Sequence, residues 1–411
     1  MGVITLAVQL VLLTVVGALL LIFVPGLPPD MKFEAYTVPP PLKLEGKLAP
    51  NAKLDRAELV FDGEFVGPES IAIRKDEVYT GVIGGYIIRY KNDKWEKIVQ
   101  TGKPCAGYWE YGICGRPLGL RFEPSGKLLV ADATQGLLRV DVDKKTVETL
   151  LPRNAKSDGS EQTLNFADDV DVTAKDGLIY FSDAGQFGTF GDSLIDMIGE
   201  PTGRLIEYDP KTKKSKALLT GIRFANGVQL SKNQDFLVLN EMGLSRVLKY
   251  HLKGPKKGTS EVLIDRLPGY PDNVRSNGKG GFYISLLTSR FAESPNMVEQ
   301  IAPIPLVRKL ILRFQCVLVK ICEFVNLYAP NEYIEKAIVY IKHVGPFGDV
   351  TSYPDDVTIV EIDENGNILG SLQKKEGKIA CISEIAIADK YTYLGSPFTS
   401  QLWRIKNEYI S

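Results

Sequence analysis

A sixfold recurrence constrains this chain more than any other feature. A polar residue leading into a short, largely apolar run begins near Pro68 ("PESIAI"), Arg116 ("RPLGLRF"), Asp168 ("DDVDVT"), Asn226 ("NGVQLS"), Asp272 ("DNVRSN") and Ser383 ("SEIAIA"). The first four steps between these units span 46 to 58 residues, the scale of one four-stranded propeller blade. The stretches that follow, such as "GLRFEPSGKLLVADATQGLLRVDV", place β-branched and aromatic residues at period two and break them with Gly, Asp, Asn and Ser. That is the pattern of twisted antiparallel strands. The expectation is an all-β fold, a six-bladed β-propeller over residues 51–411.

The fifth step is about twice as long as the others and holds a segment, about residues 290–344, that does not read as strand. Within it, "PLVRKLILRFQCVLVKICEFV" sets Arg308, Lys309, Arg313, Lys320 and Glu323 at steps of one, four, seven and three residues. A helix there has a narrow charged stripe and a wide apolar face. Two roles suit it: a helical cap over the mouth of the propeller, or a helix lying on a membrane surface. The thin basic face favours the cap. The insertion is expected before the last blade.

Residues 3–24 carry no charge, and about 20 apolar residues at 1.5 Å each cross a bilayer. A basic n-region and a small-residue cleavage site are both missing, so residues 1–25 read as an uncleaved transmembrane signal anchor. The proline-rich residues 26–50 read as a stiff linker. Lys32, Lys43 and Lys47 follow the span, which by the positive-inside rule favours a cytosolic body. The charge balance, 49 basic against 50 acidic residues without a basic block, gives no reason to expect a nucleic-acid partner.

In a propeller the innermost strands line a central channel, so polar residues at their starts converge. Here they are Glu69, Asp168 and Asp169, Asn226, Asp272 and Asn273, and Glu384. Singly, an Asp or Asn before a strand is an ordinary turn residue. Together, hard oxygen donors without a soft ligand suit calcium, and without a cation the carboxylates repel one another.

The stretches "FADDVDVTAKDGLIYFSDAG", "GIRFANGVQLS" and "ISEIAIADKYTYLGS" resemble the strictosidine synthase-like family, with paraoxonases and gluconolactonases as more distant relatives of the same architecture. The resemblance covers the anchor, all six repeats and the insertion. It implies a channel calcium held by Glu69, Asp168, Asn226, Asp272 and Asn273, with Asp168 standing where the pattern Phe-x-Asn-Asp has an amide. It also implies a disulfide between Cys105 and Cys114. Such a bridge suits an oxidising compartment, and the expected topology is a single-pass type II membrane protein with a lumenal or extracellular propeller, at the endoplasmic reticulum or plasma membrane, against the lysine asymmetry.

Catalytic expectations are thinner. Paraoxonases carry a histidine on the second inner strand, where this chain has Leu118. Its two histidines, His251 and His343, both read as structural. Glu384 matches the proton-shuttling glutamate of plant strictosidine synthases, and Asp169 is a second candidate base. Three functions are carried forward: a calcium-dependent ester hydrolase of arylesterase or lactonase type acting on small hydrophobic esters or lactones, a non-catalytic calcium-stabilised propeller that binds a lipid or a protein, and amine–aldehyde condensation.

Overall fold

The computed structural model describes residues 3–156, 162–342 and 357–410. Six four-stranded antiparallel sheets form the blades. Their first strands are Ile71–Arg74, Pro117–Phe122, Ala167–Val172, Ala225–Leu230, Gly269–Ser276 and Glu384–Ile387. Each recurrent unit of the sequence starts one of them. Every first strand touches that of the next blade, and the sixth touches the first, so these strands are the inner wall of a closed ring.

Two glycines show how tightly the wall is drawn. A Cβ on Gly119 would lie 2.5 Å from the Asp169 Cα, and one on Gly227 would lie 2.6 Å from the Asp272 carbonyl oxygen. Any side chain there would push apart the strands that carry the polar residues. Between blades the packing is apolar: Phe236 and Val238 of blade four interlock with Val274, Phe282, Ile284 and Val360 of blade five. The ring is closed by Glu58–Asp62, which pairs with the last strand, Gln401–Lys406, and completes blade six from the other end of the chain.

Six helices accompany the blades among the described residues: α1 (Val3–Phe23), α2 (Tyr111–Cys114), α3 (Leu194–Ile198), α4 (Met297–Ile301), α5 (Pro305–Tyr328) and α6 (Glu332–Lys342). α1 is apolar throughout and packs little of its surface, as a candidate membrane anchor would. The expected insertion is α4 to α6; its residues 343–344 lie outside the described residues. It leaves blade five between the second strand, Phe282–Ser289, and the third, Thr358–Ile362, which still pair side by side. It therefore interrupts the fifth blade instead of joining it to the sixth.

The segment expected as a linker lies against the body. The Arg223 and Arg308 guanidinium groups both lie over the Tyr36 ring, 3.7 and 4.8 Å from its centre. Met31 and Phe33 pack with Leu194, Ile198 and Leu312, and Leu48 enters the core between blades four and five. Cys105 and Cys114 form the disulfide that the resemblance implied, with Cα atoms 5.5 Å apart. Cys316, Cys322 and Cys381 are free thiols. His251 sits on the third strand of blade four, 3.0 Å from Glu261, and His343 lies outside the described residues.

Candidate functional site

The channel residues are placed by carboxylates at the far end of the neighbouring strands. Asp132, last residue of the second strand of blade two, accepts from the Arg116 N–H at 3.0 Å. Asp183 does the same for the Phe166 N–H at 2.7 Å in blade three, and Glu241 for the Arg223 N–H at 2.9 Å in blade four. Each of these bonds fixes the turn that leads into an inner strand, delivering Asp168 in blade three and Asn226 in blade four to the channel and Leu118 in blade two to the cavity wall. The signal was in the sequence, as an acid closing each apolar strand in "LLVAD", "IYFSD" and "FLVLNE".

Two groups of side chains occupy the channel. At the end beneath the helices, Glu69, Asp168, Asn226, Asp272 and Asn273 converge from blades one, three, four and five, all buried. The Asn273 amide donates to Glu69 Oε1 at 2.8 Å. Glu69 Oε2, Asn226 Oδ1 and Asn273 Oδ1 accept no hydrogen bond, although each is out of contact with solvent. Burial raises the Glu69 and Asp168 carboxyls well above the ordinary range, and the negative charge of Asp272 adds to both shifts. Burial also pushes Asp272 up to about 7, against a hydrogen bond with the Asn226 amide, while the Glu384 and Asp169 charges push further. Arg116 is the cation close by, but its guanidinium is spent on the Gly67 and Pro397 carbonyls, at 2.8 and 3.1 Å.

Deeper in the channel a guanidinium meets the carboxylates directly. Arg275, three residues after Asp272, donates to both Asp169 oxygens at 2.6 and 3.0 Å and meets Glu384 Oε2 at 2.5 Å. Ser70 links the group, donating to Glu384 at 3.2 Å and accepting from the Leu120 N–H at 3.1 Å. The two residues expected as bases are thus partners of a buried guanidinium, and neither lines the cavity above.

That cavity holds about 200 Å³ between the propeller and the helices. Its floor is Glu69, Asp168, Asn226 and Asp272, and its walls include Phe166, Phe190, Phe224, Met242, Tyr270 and Phe398. Leu118 lies in the wall too. Leu194 and Met197 of α3, Val298 of α4 and Lys342 of α6 form the roof. A cluster of acceptors at the bottom of an apolar cavity is the usual form of a small-molecule site.

The oxygen set fits a hard cation. Its orphaned acceptors are carboxylate and amide oxygens, the ligand types calcium takes, and they lack a donor that would otherwise satisfy them. Among the described residues, no three Asp, Glu, His or Cys groups stand in metal-ligating geometry.

The ring, the insertion and the channel residues together define a strictosidine synthase-like propeller, and the chain belongs to that family. Residues 46–90 match the family model for the N-terminal part of strictosidine synthase-like proteins, and residues 168–255 match that of strictosidine synthase. Within it, the chain is 33% identical to the adipocyte plasma membrane-associated protein of Bos taurus, over 95% of its own length and 87% of that protein's. It is 35% identical to the adipocyte plasma membrane-associated protein Hemomucin of Drosophila melanogaster, over 95% of its length and 67% of the relative's. In fold it is similar to a gluconolactonase of Xanthomonas campestris, with a TM-score of 0.53 over 93% of this chain and 99% of that one at 13% identity. It is also similar to the calcium-binding protein regucalcin of Agrobacterium tumefaciens, with a TM-score of 0.52 over 85% and 92% at 10% identity.

Proposed function

We propose that the chain is a membrane-anchored, calcium-dependent hydrolase of small apolar esters or lactones. The observation that carries this reading is the set of donorless buried oxygens at the floor of an otherwise apolar cavity. Glu69, Asp168, Asn226, Asp272 and Asn273 would hold calcium, which supplies Lewis acidity toward a carbonyl oxygen. The aromatic walls bind the substrate's apolar body and exclude water. Asp168, which lines the cavity, is the carboxylate in place to accept a proton from an attacking water; Asp169 and Glu384, held by Arg275, are not. For the same reason amine–aldehyde condensation centred on Glu384 is not proposed. The gluconolactonase and regucalcin neighbours support the calcium and lactone readings by their descriptions.

A second reading has its own support. Leu118 stands in the cavity wall where a hydrolytic relative would carry a histidine, so calcium would then be structural and the cavity a binding site for a lipid or a protein. Hydrolysis of phenyl acetate and of a medium-chain lactone by the full chain in detergent decides between them. Turnover that disappears on chelation, returns with calcium and is missing in Asn226→Ala supports the hydrolase. Calcium-dependent stabilisation without turnover supports the second reading.

We further propose a type II topology with the propeller in an oxidising compartment, supported by the Cys105–Cys114 disulfide. Protease digestion of sealed microsomes tests it. A propeller degraded without detergent would place the body in the cytosol.

A further inference from the structure

The outer surface of α5 has no protein partner among the described residues along its C-terminal half. Arg308, Leu312 and Val319 are buried on its inner side, with Leu312 packed against α3. The opposite side, at steps of three, four and seven residues, runs Leu306, Leu310, Val317, Ile321, Phe324 and Tyr328, broken only by the charge of Arg313. Ile321 is 54% exposed, Phe324 62%, Leu327 72% and Tyr328 74%. Tyr333 and Tyr340, seven apart on α6, are exposed beside it. Lys309 and Lys320 follow one edge of the stripe. The helix is 24 residues long, about 36 Å at 1.5 Å per residue. An exposed apolar surface along half of that length is not left to water by a stable protein.

The contact with α1 identifies what covers it. Arg313, which neighbours Leu310 and Val317 on this side of α5, donates to the Leu21, Ile22 and Val24 carbonyls at 3.0, 3.2 and 2.8 Å. Those are the carbonyls a helix leaves without partners at its C-terminus, at the negative end of its dipole. The anchor therefore ends on the outer surface of α5, and the bilayer that holds α1 begins at that level. We propose that α5, with the exposed tyrosines of α6, is seated in the interfacial layer of the same bilayer as a second attachment to lipid. The flanking lysines reach back to the headgroups, and tyrosines are enriched at this depth. It follows that the cavity roof, to which α6 contributes Lys342, stands at lipid level, so that an apolar ligand reaches it from the membrane. The proposal rests on α1 as the anchor.

The test is photolabelling of the full chain in phosphatidylcholine vesicles doped with a diazirine-bearing phosphatidylcholine, with lipid adducts mapped by peptide. Adducts are expected on α1 and on residues 306–328. The combined change Ile321→Asp, Phe324→Asp and Leu327→Asp touches exposed positions only, and should cut the α5 adducts by at least about fivefold while leaving those on α1. Adducts confined to α1, adducts on neither helix, or α5 adducts unmoved by the three changes would each overturn the proposal. A protein covering α5 in place of lipid belongs to the first of these outcomes.

Discussion

The two levels of one channel handle buried charge in opposite ways. Around Arg275, two carboxylates are met by a guanidinium that is part of the fold, although Glu384 Oε1 and the Arg275 Nε–H are left without partners. Above it, Glu69, Asp168 and Asp272 are equally buried but share no cation of their own, and three acceptor atoms are left idle. The difference teaches what each level is for. A carboxylate pair with a built-in counter-ion is a strut, whereas carboxylates without a dedicated one keep their mutual repulsion.

Removing the strut should have the largest effect. Arg275→Met leaves Asp169 and Glu384 buried without compensation and should cost about 3–5 kcal/mol in denaturant unfolding, a loss calcium does not restore. A variant as stable as the parent would end the distinction between the levels. Next in size, calcium at about 100 times its Kd should add about 2.7 kcal/mol to the parent. That gain should disappear in Asn226→Ala and survive in Glu384→Gln, as read by melting with and without chelator. A smaller change is expected of Asp272→Asn without calcium, which should raise stability by about 1 kcal/mol by removing one of the repelling charges. Calcium should then no longer help.

The pH dependence separates the levels by its response to calcium. The folded-state pKa of Asp272 is raised to about 7, above that of the same group in the unfolded chain. Its contribution is therefore fully present below about pH 4 and is lost as pH rises through about 7. Calcium-free protein should melt at a lower temperature at pH 8 than at pH 5, and the slope should flatten once calcium is bound. A slope that calcium leaves untouched would place its origin at Glu384, whose pKa burial also raises to about 7.

How much of this was legible follows from where the partners lie. The channel oxygens could be read because each opens a repeat, and the repeat sets its position on the inner wall. Arg275 was missed although it sits inside one of the repeats, because an arginine in an alternating strand reads as solvent-facing. Its partner Asp169 lies 106 residues away in sequence. The packing of the proline-rich segment was not legible for a related reason. Its composition says that it is stiff, but not that two arginines contact the Tyr36 ring. α3 is too short to show a helical period, so the roof it contributes had no signature.

The pairing of Glu58 with Arg404 across 346 residues also governs the order of events during synthesis. The strand made first is the last to find its neighbour, so the ring stays open until nearly the whole chain has been made. A contact of such long range slows folding. A nascent chain held by α1 would meanwhile keep its unpaired sheet edges beside the membrane, where a chaperone able to shield them would be needed most.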